Sequence, residues 1–178
     1  FMPRKKIREK TEELLEFCGL IDFRRRTVRK LSGGMKRKLM VCRALLTEPE
    51  ILLLDEPTAG MDALSRRQMW NLLRQLNDHN LTILLTTHYM EEAESLCQRV
   101  AFMDRGRLEE VSEPKKMVEQ LGHFAVDEMT SDGLKSHYFK NREDAIAHLS
   151  RLTGQTALRN TTLEDVFVAR AEQKERQR

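Results

Sequence analysis

The chain has 178 residues, of which 40% are hydrophobic, 6% aromatic and 33% charged, and its formal net charge is +3. These proportions are typical of soluble globular domains and exclude a disordered tail, a collagen and a disulfide-rich mini-protein. The length predicts one domain, or one domain with a small appendage. No apolar run approaches the roughly 20 residues of a membrane span, and no signal peptide begins the chain, so we expect a cytoplasmic location.

Charge is distributed unevenly along the chain. Residues 1–43 contain 14 Lys/Arg and 5 Asp/Glu, whereas the remainder contains 17 and 23. A basic front segment favours a phosphate-rich partner, although a solvated helix face is an equally simple reading of many of these side chains. Three cysteines, Cys18, Cys42 and Cys97, are far apart in sequence and odd in number. This predicts free thiols, buried as small hydrophobic side chains, in a reducing compartment.

The first two thirds of the chain alternate helical and strand patterns. Apolar residues at helical spacing predict four helices, over residues 4–18, 32–48, 64–76 and 90–96. Apolar runs at 51–54 and 81–86 do not alternate with polar residues, which predicts strands buried on both faces of a parallel sheet. A hairpin follows, with strands at 100–103 and 108–111. Strands alternating with helices predict an α/β fold with a mainly parallel sheet.

The pattern of predicted elements changes after Val111. Pro114 suits the first turn of a short helix that ends near Gly122. Hairpin and helix signals then predict a small ββαβα unit, with elements over residues 124–129, 134–139, 143–152, 156–158 and 163–169. We place the domain boundary within 112–122, so that residues 1–112 form one domain and 113–178 a small accessory domain.

Two acids follow the first apolar strand. Asp55 and Glu56 come directly after it, at the end of the strand where open α/β sheets bind ligands. Asp55 can hold Mg²⁺ through water, because a hard cation prefers carboxylate oxygen. Glu56 can then orient or deprotonate a water molecule, as phosphoryl transfer to water requires. Taken alone, the same pair also fits an ordinary polar turn.

Two further segments suggest phosphate chemistry. Ser32-Gly33-Gly34 opens a helix, where exposed amides and the positive end of the helix dipole attract anions. His88 ends the second apolar strand after Thr86 and Thr87, and can hydrogen-bond a phosphate or the attacking water. Each feature alone has a simpler explanation, a common helix cap in the first case and a structural histidine in the second.

The order of these segments is much more specific than any one of them. Leu-Ser-Gly-Gly, a helix, four apolar residues with Asp-Glu-Pro-Thr, then Ala-Gly-Met-Asp and a strand ending in Thr-His resembles the nucleotide-binding domain of ABC transporters. The resemblance runs from about residue 10 to residue 112. It implies that residues 51–55 are Walker B, that Asp55 serves Mg²⁺, and that Glu56 and His88 are the catalytic glutamate and the switch histidine.

The family resemblance also implies a second subunit. In such ATPases two domains dimerise head to tail, with ATP between the P-loop of one and the signature motif of the other. Ser32, Gly33, Gly34 and Met35 would therefore bind nucleotide held by the partner. Residues 59–62 resemble the D-loop, in which Gly60 and Asp62 would lie at the dimer interface.

Two features depart from the common family pattern. Met35 stands where many members have Gln, which resembles the branch that exports drugs, antibiotics, lipids or sodium. None of the eight glycines begins the P-loop pattern G-x-x-x-x-G-K-[ST]. The resemblance therefore implies the C-terminal part of an ABC ATPase domain, with a remnant of its helical subdomain. The segment Leu163-Glu164-Asp165-Val166-Phe167 resembles an ending common in the same exporter branch, and equally fits a capped helix.

These features predict an ATP-binding and ATP-hydrolysing subunit of an export system, with ATP and Mg²⁺ as cofactors. It would pair with a second ATP-binding subunit and with membrane-spanning permease subunits, peripherally on the cytosolic face of the membrane. We expect the 178-residue chain alone to be inactive. A nucleic-acid-associated ABC-type ATPase and a truncated non-catalytic product are the alternatives, although nucleic acid is the less expected partner.

Overall fold

A computed structural model describes residues 3–176 of the chain, with side chains through residue 174. The chain divides between His88 and Tyr89 into two compact units. This division lies upstream of the boundary predicted within 112–122, because residues 90–112 pack with the C-terminal elements. The assignment of residues 1–112 to one functional domain remains a prediction. No helix in the described part is long and apolar enough to cross a membrane.

Three helices build the first unit. Helix α1 spans Arg4–Phe17, α2 spans Gly33–Leu45 and α3 spans Ala63–Asp78, with short 3-10 turns at Ile21–Phe23 and Val28–Lys30. Helix α2 packs against both α1 and α3. Leu64 in the first turn of α3 is exposed. The later apolar residues form a buried face, as expected of an amphipathic helix; they are Met69, Trp70, Leu72, Leu73 and Leu76.

The first unit also contains a two-stranded parallel sheet. Strand β1 spans Ile51–Asp55 and β2 spans Thr82–Thr86, paired so that Asp55 lies opposite Thr86. The prediction of parallel strands is confirmed, but the prediction of burial on both faces is wrong. Leu52 is buried, whereas Leu53 and Leu84 on the other face are 69% and 64% exposed. Among the described residues, β1 and β2 pair only with each other.

Two cysteines that are distant in sequence meet in the first unit. Cys18 caps α1 and Cys42 lies in α2, and their sulfur atoms are 2.9 Å apart. Both are buried and free, as predicted, and Cys97 is free and half-buried. The hydrogen bond with Cys42, together with burial, raises the pKa of the Cys18 thiol well above its usual value. The two thiols therefore pack against each other as small core residues.

The second unit begins with a helix and a hairpin. Helix α4 spans Met90–Leu96, β3 Val100–Asp104, β4 Arg107–Ser112 and α5 Pro114–Leu121. The two-residue turn between β3 and β4 has positive φ angles at Arg105 and Gly106 (48° and 76°), as a tight hairpin turn requires.

The predicted ββαβα order of the remaining chain is confirmed. It comprises β5 (Phe124–Thr130), β6 (Gly133–Phe139), α6 (Arg142–Leu149), β7 (Thr156–Asn160) and α7 (Leu163–Arg176). The three strands form an antiparallel sheet in the order β6-β5-β7. Parallel pairing is therefore confined, in the described part, to β1 and β2.

One apolar cluster joins four elements of the second unit. Its buried members come from α4, β3, α5 and α7, and are Ala93, Phe102, Met117, Leu163 and Val166. Leu163 and Met117 are completely buried. Because α4 and β3 contribute to the same core as α7, residues after His88 belong physically to the C-terminal unit.

Candidate functional site

Asp55 and Glu56 lie where β1 ends. Asp55 is the last residue of the strand, and Glu56 turns the chain with a φ of 46°, a left-handed value that is uncommon for a non-glycine residue. The backbone N–H of Glu56 donates to the carbonyl oxygen of Thr86 at the end of β2, at 3.0 Å. This bond ties the turn to the neighbouring strand and fixes where the Glu56 side chain begins.

His88 lies close to the Glu56 carboxylate. Its Nδ1 is 2.8 Å from Glu56 Oε2, and the two side chains are 62% and 33% exposed. The predicted water-activating acid and the predicted switch histidine therefore meet at the same edge of the sheet. A carboxylate and an imidazole at this distance can share a proton and can both contact a water molecule beside them.

The oxygen donors beside Asp55 suit a hydrated magnesium ion. The Thr86 hydroxyl donates to Asp55 Oδ1, so that the oxygen atoms of both side chains lie together where β1 and β2 end. No cluster of three or more potential metal-ligating side chains occurs in the described part of the chain. Magnesium fits such a set, because it retains several waters and needs only one or two carboxylates together with substrate phosphates.

The Ser32-Gly33-Gly34 segment forms the predicted helix start. Ser32 is the N-cap of α2, and its hydroxyl accepts a hydrogen bond from the Met35 N–H at 3.2 Å. A Cβ at Gly33 would meet nothing within 4 Å, whereas one at Gly34 would lie 3.0 Å from Ser65 Oγ. A side chain at residue 34 would therefore crowd Ser65, whereas the space beside the backbone at residue 33 is open.

Asp62 begins helix α3. Its Oδ1 accepts from the Ser65 N–H at 2.9 Å, and its Oδ2 accepts from the Ser65 hydroxyl at 2.6 Å. These two hydrogen bonds lower the pKa of Asp62 below its usual value. Gly60 precedes it with a φ of 73°, which a side chain would strain. Ser65 bonds Asp62 and lies beside the space that a Cβ at Gly34 would fill, and sequence reasoning did not single it out.

The Leu163–Phe167 segment has a structural explanation in the second unit. Leu163 and Val166 are core residues, and the Asp165 carboxylate accepts from the Thr162 N–H (2.8 Å) and hydroxyl (2.9 Å). Arg159 in β7 donates two hydrogen bonds to Asp165, at 2.7 and 2.8 Å. Burial raises the pKa of Asp165, but the Arg159 and Thr162 bonds outweigh burial and leave it below its usual value.

Arg159 also pairs with a second acid. Its guanidinium donates to Asp127 in β5 at 2.7 and 3.1 Å. The two carboxylates raise the pKa of the guanidinium, which is therefore permanently charged. One cation thus links β5, β7 and the first turn of α7. Nothing in the sequence pattern indicated this pairing, since its members are up to 38 residues apart.

Comparison with known proteins identifies the family of the chain. The family profile described as "ABC transporter" matches residues 3–59. The Nod factor export ATP-binding protein I of Burkholderia pseudomallei (strain K96243) is 39% identical over an alignment that covers 87% of this chain and 58% of that protein. The chain belongs to the ABC transporter family. It spans about half the length of the first curated relatives that it matches.

Two further relatives are ATP-binding proteins named for resistance to daunorubicin and linearmycin. A daunorubicin resistance ATP-binding protein of Streptomyces coeruleorubidus is 46% identical over 58% of this chain and 33% of its own length. A linearmycin resistance ATP-binding protein of Bacillus subtilis (strain 168) is 32% identical over 82% of this chain and 47% of its own length.

Solved structures support the fold assignment. An ATP-binding cassette of an ABC transporter in its ADP conformation superposes with a TM-score of 0.62 at 23% identity, covering 67% of this chain and 47% of that one. A nucleotide-free cassette gives 0.59 at 24% identity, covering 62% and 44%. The α/β ABC ATPase fold predicted from the sequence is confirmed.

Proposed function

We propose that this chain is part of an ATP-binding subunit that hydrolyses ATP to power export. The observation that carries the proposal is the meeting of Asp55, Glu56 and His88 at the carboxyl ends of two parallel strands, with Glu56 Oε2 2.8 Å from His88 Nδ1. ABC relatives named for Nod factor export and for drug resistance support an export role.

Each residue of the cluster has a distinct part in the proposal. Asp55 would hold magnesium through water, and the bound ion would draw charge from the nucleotide phosphates. Glu56 accepts a proton from the attacking water, because a carboxylate within hydrogen-bond reach is a suitable general base. His88 holds the Glu56 carboxylate and a phosphate oxygen in fixed positions. General-base catalysis of this kind contributes about 10²- to 10⁴-fold to a rate.

The signature and D-loop segments would act on a partner subunit. The Ser32 cap leaves the Gly33 and Gly34 amides at the positive end of the α2 dipole, which suits a phosphate group. Met35 belongs to the same proposed nucleotide-binding segment. Gly60 and Asp62 would contact the second subunit, and membrane-spanning permease subunits would complete the exporter. The pair of ATP-binding subunits would lie on the cytosolic face of the membrane.

The experiment measures ATP binding and phosphate release by the 178-residue chain and by a complete subunit. The 178-residue chain alone should bind Mg-ATP weakly and release no phosphate, since it has no phosphate-binding lysine motif. In a complete subunit that includes the P-loop segment, Glu56→Gln should retain ATP binding and lower turnover about 10²- to 10⁴-fold. Glu50→Gln, an exposed acid one residue before β1, is the matched control. A near-normal rate in Glu56→Gln would show that Glu56 is not the general base.

A further inference from the structure

The end of strand β2 carries a hydroxyl that touches both acids of the site. The Thr86 Oγ1 donates its proton to Asp55 Oδ1, and the backbone N–H of Glu56 points at the same Oγ1 at 3.3 Å. The Glu56 N–H also donates to the Thr86 carbonyl oxygen at 3.0 Å. Thr86 therefore contacts the proposed metal-holding residue through its side chain and the proposed general base through side chain and backbone.

The strand register explains why residue 86 can do this. Asp55 and Thr86 are direct partners in the parallel pairing of β1 and β2, so their side chains leave the sheet at the same level. A hydroxyl has one proton to donate and two lone pairs that can accept. Donation to Asp55 and acceptance from Glu56 use both capacities at once, which an apolar side chain of the same shape cannot do.

We propose that Thr86 is a positioning residue that orients the Asp55 carboxylate for magnesium and holds the Glu56 turn in place. The hydroxyl donates to Oδ1 of Asp55, so that Oδ2 would be the oxygen available to a water bound to the cation. It also supports Glu56 in its left-handed backbone conformation, which costs free energy and persists only when neighbouring groups hold it. The inference rests on the proposed function, because Asp55 and Glu56 are site residues only there.

The first test measures metal binding by the 178-residue chain, without turnover. Manganese chloride is titrated while the NMR signal of the Glu56 amide is followed, since a paramagnetic ion at Asp55 broadens it. Losing a hydrogen-bond partner of a metal ligand typically weakens binding about 10- to 100-fold. We expect Thr86→Val to require at least about tenfold more manganese for half-broadening, and Thr86→Ser to stay within about twofold of the unaltered chain.

Control variants separate the two levels of the hypothesis. Thr82→Val makes the same chemical change at an exposed position at the other end of β2, and should leave the titration unchanged. Asp55→Asn should abolish the broadening. If Asp55→Asn abolishes it and a folded Thr86→Val does not shift it, the positioning role is wrong while the metal role of Asp55 stands. If Asp55→Asn leaves it unchanged, Asp55 does not hold the metal, and both ideas fail.

A second readout applies in the complete subunit. Thr86→Val should lower kcat about tenfold and raise the magnesium concentration for half-maximal rate, with little change in KM for ATP at saturating magnesium. Thr86→Ser should restore both values. If Thr86→Val fails to fold, Thr86→Ala, which is smaller, supplies the same deletion of the hydroxyl. A uniform loss of folded protein, with unchanged magnesium dependence, would mean that Thr86 has only a structural role.

Discussion

The Arg159–Asp165 ion pair joins β7 to the first turn of α7 through two hydrogen bonds and gives a sharp stability prediction. The side chain of Asp165 is 9% exposed and that of Arg159 is 36% exposed. Removing one partner of a fully buried pair costs about 3–5 kcal/mol. Because the guanidinium is partly solvated, we reduce this figure and expect Asp165→Asn to cost about 2 kcal/mol. In a unit of this size, that lowers the Tm by about 10 °C.

The assay is a double-mutant cycle on the full chain. Thermal unfolding is followed by circular dichroism for Asp165→Asn, Arg159→Met and the double variant. The two single changes should be coupled by about 1–2 kcal/mol, since each removes the same contact. Glu164→Gln is the matched control, because it makes the same acid-to-amide change at the exposed neighbouring position and should shift stability by less than about 0.5 kcal/mol. A coupling energy below about 0.5 kcal/mol between Asp165→Asn and Arg159→Met would refute the reasoning.

The same pair predicts a pH dependence. The pKa of Asp165 is lower in the folded chain than the 3.8 of an unperturbed aspartate. A depressed pKa stabilises the folded state fully above the unfolded value, and this contribution is lost as the pH falls through the folded value. The stability difference between the unaltered chain and Asp165→Asn should therefore be constant above about pH 5 and shrink below about pH 4. A difference that grows in acid would contradict the sign.

Two glycine substitutions complete the set. Gly122→Ala should destabilise the second unit by at least about 2 kcal/mol, because its φ is 141° and the added Cβ would lie 2.8 Å from a backbone oxygen of β6. Gly154→Ala is the control for backbone strain alone, because its φ is 131° and its Cβ would enter open space. Equal melting temperatures of the two variants would argue against the clash at Gly122. In urea titrations, Gly34→Ala should be about 1 kcal/mol less stable than Gly33→Ala, because only the Cβ at residue 34 would crowd Ser65. If Gly34→Ala were the more stable variant, the Ser65 side chain would move aside without cost.

Local signals predicted most of the element order. The Ser32 cap, Pro114 at the first turn of α5 and the Asp104–Arg107 hairpin all depend on neighbours in sequence, and the structure has each of them. The predicted ends of two helices differ from the observed ones. Helix α6 ends at Leu149 rather than near residue 152, and α7 continues to Arg176 rather than ending at residue 169. Fraying and capping at these ends are decided by contacts that periodicity does not record.

Contacts across the fold could not be predicted. The exposed face of β1 was missed because an apolar run tells only that a strand can be buried, not which elements cover it. The Asp55–Thr86 and Arg159–Asp165 bonds depend on strand register and on the approach of α7 to β7. The acids and the histidine themselves were predictable, since the ends of parallel strands collect at one edge of a sheet.

The uncovered face of the β1–β2 sheet sets a limit on any melting experiment with the first unit. Ile51, Leu53 and Leu84 are each about three fifths exposed or more. Fully burying an exposed aliphatic side chain contributes about 1.5–3 kcal/mol. Scaled by the exposed fractions of these three side chains, covering them would contribute about 3–6 kcal/mol. The stability of these residues in the isolated chain is thus a floor value. Burial of this face by a further strand or helix would raise it, so that folding of this unit and such docking would be thermodynamically linked.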